Sequence, residues 1–251
     1  MFKLFRRIRQ HLLTENKFSK YLLYAIGEIV LVVIGILIAL QINTWNNDQI
    51  DKKEEGLILK NLSFEFNKNR KDLAKVKGDY RNFLNATKNL LDLIGEDAEI
   101  IRAHNTDSLL SASIDYYDYR PTENVLSDLI SSGNLKLIKS DSLRLHLFQW
   151  SSFLNEKEEA WQTLDDFSQN LMMPYLTKKA SLKNIDTYGF LGWDVPSKLA
   201  PDTSAIFQDL EFENNLDNHA WSLTNYMMSL ENLEITLDKI LSETFNEQTD
   251  D

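Results

Sequence analysis

An all-α fold is what the sequence predicts: one N-terminal transmembrane helix, then an extracytoplasmic antiparallel helical bundle built from long helices. Three observations predict it. One apolar run lies near the N-terminus, three later segments repeat apolar residues at spacings of three and four, and no segment sustains the alternation of a β-strand. Charge divides the chain in the same way. The 251 residues carry 27 Lys plus Arg against 38 Asp plus Glu, a formal net charge of −11. Residues 1–20 hold six basic residues and one acidic, residues 21–44 hold Glu28 alone, and residues 45–251 hold 21 basic and 36 acidic residues. The expected domains follow these divisions: a basic amphipathic cytoplasmic segment at 1–20, a transmembrane helix at 21–44 and an extracytoplasmic helical domain at 45–251. So acidic a body excludes nucleic acid as an expected partner, because phosphate binding needs clustered Lys and Arg. With no cysteine, disulfides, thiolate catalysis and cysteine-ligated metals are excluded.

In the first element, Phe2, Leu4, Phe5, Ile8, Leu12 and Leu13 fall on one half of a helical wheel and Lys3, Arg6, Arg7 and Arg9 on the other. Such a segment can lie on an anionic leaflet; the alternative is a basic flank that only sets topology. From Tyr21 to Leu40 only Gly27, Glu28 and Gly35 interrupt the apolar residues. At about 1.5 Å per residue this run crosses a hydrocarbon core of roughly 30 Å. It is too long for a cleaved signal peptide and is followed by no small-x-small cleavage pair, so an uncleaved anchor is expected. Six basic residues precede it, whereas Asp48 and Asp51 are the first charges after it. The positive-inside rule then puts the N-terminus in the cytoplasm and the body outside an inner membrane, in the periplasm.

Glu28 is costly within that span, by about 2.5–3.5 kcal/mol at mid-membrane. Together with Gly35, Ala39 and Asn43 it forms a polar and small stripe at spacings of seven, four and four, the pattern of a close helix–helix interface. The expected partner is a second copy, making a homo-oligomer, or another membrane protein. Alternatively, Glu28 snorkels to the inner headgroups.

The run Ala25–Asn46 (AIGEIVLVVIGILIALQINTWN), preceded by the basic FKLFRRIRQ of residues 2–10, resembles the N-terminal signature of a family of uncharacterised single-pass membrane proteins of Gram-negative bacteria, a domain of unknown function. A second similar stretch is YRPTENVLSDLISSGNLKLI at 119–138, followed by Leu143-Arg144-Leu145. The resemblance implies an inner-membrane protein with an extracytoplasmic helical domain. It brings no reaction, ligand, cofactor or catalytic residue.

In the body, positions 59, 62, 66, 69, 73, 76, 80, 83, 87, 90 and 94 alternate spacings of three and four, interrupted only by Asn69 and Thr87. They predict a helix over about 50–95 with an unbroken apolar seam. Gly56 and Gly78 weaken it by about 1 kcal/mol each relative to Ala, and Gly56 is a candidate joint. Ser140 is a candidate N-cap for a second seam, Leu143, Leu147, Trp150, Leu154, Lys157, Trp161, Leu164, Ser168, Leu171 and Tyr175, ending near 178 with a kink at Pro174. A third seam runs Phe212, Leu216, His219, Leu223, Tyr226, Leu230, Leu233, Leu237, Ile240 and Thr244. Shorter helices are expected at 106–116 and 122–132, the latter stopped by Gly133, and a long connection at 180–209. Three seams argue for a bundle, since one helix cannot bury its stripe alone. An intermolecular coiled coil through the first seam would leave the other two unexplained.

No metal or cofactor is expected. His104, His146 and His219 lack a partner at ligand spacing, and His219 on its seam reads as a hydrogen-bonded core residue. No phosphate loop, HExxH, G-x-S-x-G or S-x-x-K is present. Glu156, Glu158, Glu159, Asp165 and Asp166 read as a solvated face rather than an acid–base pair. Two aromatic clusters are the candidate partner surfaces: Tyr116, Tyr117 and Tyr119 before Pro121, and Tyr188, Phe190 and Trp193 in the Gly/Pro-rich connection. The competing reading has them capping the core. The expected function is a noncatalytic membrane-anchored interaction or scaffold protein of the cell envelope, not an enzyme. Its alternative is an extracytoplasmic small-molecule sensor that signals through a partner membrane protein, which a cytoplasmic tail of about twenty residues would require.

Overall fold

The computed structural model describes residues 18–249, and every regular element among them is helical. The amphipathic segment expected at 2–13 lies outside the described residues. In chain order the helices are α1 (Phe18–Leu91), α2 (Ala98–Ala103), α3 (Thr106–Ile114), α4 (Asn124–Ser132), α5 (Asp141–Phe167), α6 (Met173–Lys179), α7 (Leu182–Ile185) and α8 (Leu210–Thr249). Short 3₁₀ turns occupy Asn134–Leu137 and Thr203–Gln208, and a π turn occupies Ser168–Met172. The chain divides into two units, one ending at Gly56 and one beginning at Leu57.

In the first unit, Leu22, Leu23, Ile29, Val32, Leu37, Leu40 and Trp45 are all exposed. Among the described residues, one helix is long and apolar enough to cross a membrane, and its apolar window is not buried against protein.

In the second unit all three seams face inward. Every position of the first is buried except Ile94, which packs from the side, and every position of the third is buried. The second holds as far as Ser168 and then shifts: Leu171 is exposed and Met172 is buried. The cause is the π turn. Pro174 has no N–H to offer the carbonyl four residues back, and the helix widens just before it, so that the Met173 N–H donates to Ser168 O, five residues back. The extra residue moves the buried position from 171 to 172, and beyond the turn the expected Tyr175 is buried together with Leu176. Two cap expectations hold: Ser140 Oγ accepts from the Leu143 N–H at 3.1 Å, and Gly133 closes α4 at φ 71°.

Contacts between the seams fix their directions. Lys77 meets Glu234, and the Tyr80 ring lies 4.7 Å from that of Tyr226. Ser140 meets Glu243 at one end of α5, and Ser168 meets His219 at the other. The C-terminal helix therefore runs against both α1 and α5. These two run the same way: Phe66 packs on Trp150 at 5.1 Å, while Leu90 shares the second apolar cluster with Leu176. The returning element between them is largely non-helical. Residues 115–123 have no regular structure and pass back along α1, from Tyr80 to Glu65, before α4 begins.

A polar segment threaded against a helical core needs partners for its peptide groups, and the polar residues that interrupt the seams supply them. The Tyr80 hydroxyl donates to Tyr117 O at 2.8 Å. The Tyr119 N–H donates to the Tyr226 hydroxyl at 2.8 Å, and Tyr119 O accepts from Lys157 Nζ at 3.1 Å. Asn69 holds Thr122 at both ends, accepting from its N–H at 2.9 Å and donating to its carbonyl at 2.8 Å. Glu65 accepts from the Val125 N–H at 2.9 Å. At the centre, Lys157 donates to Asp118 Oδ1 at 2.7 Å, and the Tyr226 hydroxyl donates to the same oxygen at 2.9 Å. A second polar layer surrounds Ser113. Its hydroxyl lies 2.8 Å from Thr87 Oγ1, and its carbonyl is 2.9 Å from His219 Nε2, whose other nitrogen faces Ser168 Oγ at 3.4 Å.

Lys157 is 4% exposed, so Lys157→Met removes the buried cation of the pair and leaves the Asp118 carboxylate with the exposed Arg120 as its remaining ion-pair partner. We expect a loss of about 3–5 kcal/mol by urea denaturation. Adding Asp118→Asn should restore part of it by removing the charge that Lys157 met from within; a double variant no more stable than Lys157→Met would show that the ion pair is not what Lys157 contributes.

Candidate functional site

The Asp115–Arg120 segment does more than fill the core. Where it leaves α3, it forms one wall of an open cleft of about 610 Å³, with α5 and the π turn opposite and residues Ile185–Phe190 across the mouth. The wall is aromatic. The ring of Tyr116 lies 5.5 Å from that of Trp161 at 55°, and 6.0 Å, edge-on, from the His219 ring beneath it. Its hydroxyl donates to Asp165 Oδ1 at 3.1 Å and accepts from Gln169 Nε2 at 3.2 Å. Tyr117 leans on Phe83 at 6.3 Å and donates to Asp79 Oδ2 at 2.5 Å. Phe190 completes the lining, its side chain fully exposed.

Gly189 sets the approach of that last wall. A Cβ there would stand 3.2 Å from Ser111 Oγ and 3.4 Å from Asp186 Oδ1, so a side chain would crowd the contact between the 185–190 turn and α3. Asp115, Asp118, Asp165 and Asp186 all line the cleft, and Arg120 is its one basic lining residue. Asp118 is neutralised from behind by Lys157 and bridged by Arg120 at 3.2 Å. Burial, then the neighbouring Asp79, pushes the Tyr117 hydroxyl well above its usual range. Tyr116 is raised too, again chiefly by burial, so both hydroxyls stay protonated donors. For His219, burial lowers the pKa while the hydrogen bond to Ser113 pulls the other way. The imidazole is neutral, with Nε2–H donating to the Ser113 carbonyl.

The two aromatic clusters read from the sequence are thus partly united. Tyr116, Tyr117 and Phe190 line one cleft, while Tyr188 and Trp193 are exposed outside its lining, with Lys183 Nζ 5.9 Å from the Trp193 ring. Tyr119 is a correction: at 2% exposure it faces no partner, because its hydroxyl donates to Asn69 O and its N–H is held by Tyr226. In the first unit, Glu28, Gly35, Ala39 and Asn43 all lie within α1, whose helical period puts them on one face; a Cβ on Gly35 would meet nothing within 4 Å. Sequence reasoning missed Ser111, Asp115, Asp118, Arg120 and Gln169 and assigned Trp161 to the seam alone. The available signal was the density of aspartate around the tyrosines of 115–119.

These features define a class: an all-helical protein with one apolar helix able to cross a membrane and a second unit carrying an acidic, aromatic cleft. The chain belongs to a family of unknown function, DUF6090, whose model matches residues 28–154. That range takes in α1 from Glu28, the Asp115–Arg120 segment and the start of α5. No curated protein and no solved structure matches the chain.

His219 gives the domain a pH dependence with a definite sign. In the unfolded chain a histidine titrates near 6.5; the folded value is lower, so below about 6.5 the unfolded state binds the extra proton and stability falls as pH falls, until the folded pKa is reached. Wild type should therefore lose Tm relative to His219→Gln between neutral and mildly acidic pH, by up to about 1.4 kcal/mol of stability per pH unit. A Tm difference that stays constant with pH would show that His219 does not titrate in this way.

Proposed function

We propose that this protein is a noncatalytic, membrane-anchored interaction protein of the cell envelope. Its apolar helix sits in the inner membrane with the N-terminus in the cytoplasm, and its acidic unit docks a partner in the periplasm. The observation that carries the reading is the connection after α7: Leu191, Trp193, Val195 and Leu199 are exposed there, Leu199 at 92%. Exposed apolar residues this dense on one irregular stretch are typical of interaction surfaces. Complementarity to a body with 36 acidic and 21 basic residues beyond residue 44 gives the partner's chemistry: an envelope protein with an apolar patch rimmed by Lys and Arg. The Glu28, Gly35, Ala39 and Asn43 stripe supplies a second contact, with another copy or with a partner's membrane helix. The cleft favours a second reading, an extracytoplasmic ligand-binding sensor.

In-cell crosslinking of the full-length protein, read by mass spectrometry, tests the first reading. The expected dominant product is a membrane or envelope protein, with contacts on residues 188–199 and on α1. Trp193→Ser with Leu199→Ser should remove the first contact, and Gly35→Leu should weaken the second by separating the backbones. Undiminished crosslinks in both variants would sink the docking assignment, and turnover of a substrate by a protein found only as a monomer would put an enzyme in its place.

A further inference from the structure

The cleft beside Tyr116 has a composition that selects its own ligand, independently of the docking loop. Its lining includes four aromatic residues, Tyr116, Tyr117, Trp161 and Phe190. Around them stand Asp115, Asp165 and Asp186, none of which has a salt-bridge partner among the described residues. These carboxylates come from three separate elements: the segment after α3, helix α5 and the turn after α7. At about 610 Å³ the space is of the size that takes small organic molecules.

We propose that this cleft binds a small organic cation, an ammonium group carried on an apolar body. Three chemistries compete for such a site. An anion is disfavoured because three unpaired carboxylates face one guanidinium, that of Arg120, which already bridges Asp118. A hard metal cation is disfavoured because it needs six or more oxygen ligands closing around it, whereas the tyrosine hydroxyls here are turned to Asp165 and Asp79 as donors and much of the remaining lining is apolar, from Ile114, Trp161, Met173, Ile185 and Phe190. A neutral apolar ligand would desolvate the carboxylates without compensating them. An alkylammonium satisfies both wall types at once, the rings through cation–π attraction and the carboxylates by charge. The π turn contributes directly, since Gln169 lies on it and donates to the Tyr116 hydroxyl, fixing that ring against Trp161. Such turns frequently occur at functional sites.

The test is calorimetry on the full-length protein in a nonionic detergent, with benzyltrimethylammonium as probe and benzenesulfonate and benzyl alcohol as anionic and neutral counterparts. We expect saturable binding of the ammonium alone, weakening as salt is raised because the site is open to solvent. Asp115→Asn, Asp165→Asn and Asp186→Asn combined should cost about tenfold or more in affinity with Tm preserved, and Phe190→Ala should weaken binding without touching the core. Asp128→Asn, outside the cleft, should bind as wild type. Binding of benzenesulfonate or benzyl alcohol equal to that of the ammonium, no saturable heat with the ammonium, or an affinity indifferent to salt would each overturn the proposal, and so would a folded triple variant that binds as tightly as wild type. Because Trp193 and Leu199 are not among the lining residues, loss of crosslinking in their variants leaves this result unaffected, and the two readings fail separately.

Discussion

A stretch of chain without helical hydrogen bonds passes through a helical core, and its peptide groups must be satisfied by side chains. Most of the second unit is organised around that requirement. From Tyr80 to Glu65, α1 covers fifteen residues, or about 22 Å; from Tyr117 to Val125 the returning chain has eight residues and reaches about 26 Å when extended. An extended return is therefore short in sequence but rich in unpaired peptide groups. Asn69, Lys157, Tyr226 and Tyr80 each spend a buried seam position meeting one or two of them. An apolar side chain at any of these positions would pack as well and leave a buried donor or acceptor unmet, at about 1–3 kcal/mol each.

This explains how the polar residues on the seams relate to one another. Read along the sequence, Asn69, Thr87, Lys157, Ser168 and His219 are separate interruptions of apolar periodicity. In space they sort into two layers, one gripping Asp118 to Thr122 and the other gripping Ser113. The first layer draws on α1, α5 and α8, and the second on α1, α8 and the π turn that follows α5, so each fixes the axial register of these elements at one height. An apolar seam alone would tolerate a slide of one heptad; a lysine that must reach Asp118 does not.

The seams themselves were legible because a period near 3.6 is written locally and burial follows it residue by residue, through to Thr244. The register change at Leu171 was half legible: Pro174 announced a disturbance, but whether a helix answers a proline with a kink or with a π turn depends on what its neighbours will accept. The cleft was not legible as a site. Tyr116, Trp161 and Phe190 are brought together by tertiary packing across more than seventy residues, and the glycine that admits Phe190 does so because of Ser111 on another helix. Sequence proximity also misassigned Tyr119. Tyr119 lies two residues beyond Tyr117, a spacing that regular alternation would put on the same side, yet it is drawn into the core because its hydroxyl donates to Asn69 O and its N–H donates to the Tyr226 hydroxyl.

Part of the acidity of the cleft comes from the same segment, in which Asp115 and Asp118 both line it. Tyr116 and Asp118 sit two apart in the segment and both line the cleft, yet Asp118 also turns inward to Lys157 and Tyr226. Neutralising Asp118 from within has a consequence for the outer surface. Were Lys157 absent, Asp118 would lose the cation that meets it from within, and Arg120, 83% exposed, would be the basic group left beside it. With Lys157 in place, Asp118 is bonded to Lys157, Tyr226 and Arg120 together, and the segment is pinned at its middle. Tyr116 and Tyr117 are then fixed on one side of the pin, and Asp115, Asp165 and Asp186 stand around them without a salt-bridge partner among the described residues. A buried ion pair contributes little net stability by itself. Its effect here is positional: it converts a flexible, tyrosine-rich connection into a rigid wall whose aromatic and acidic groups keep fixed places.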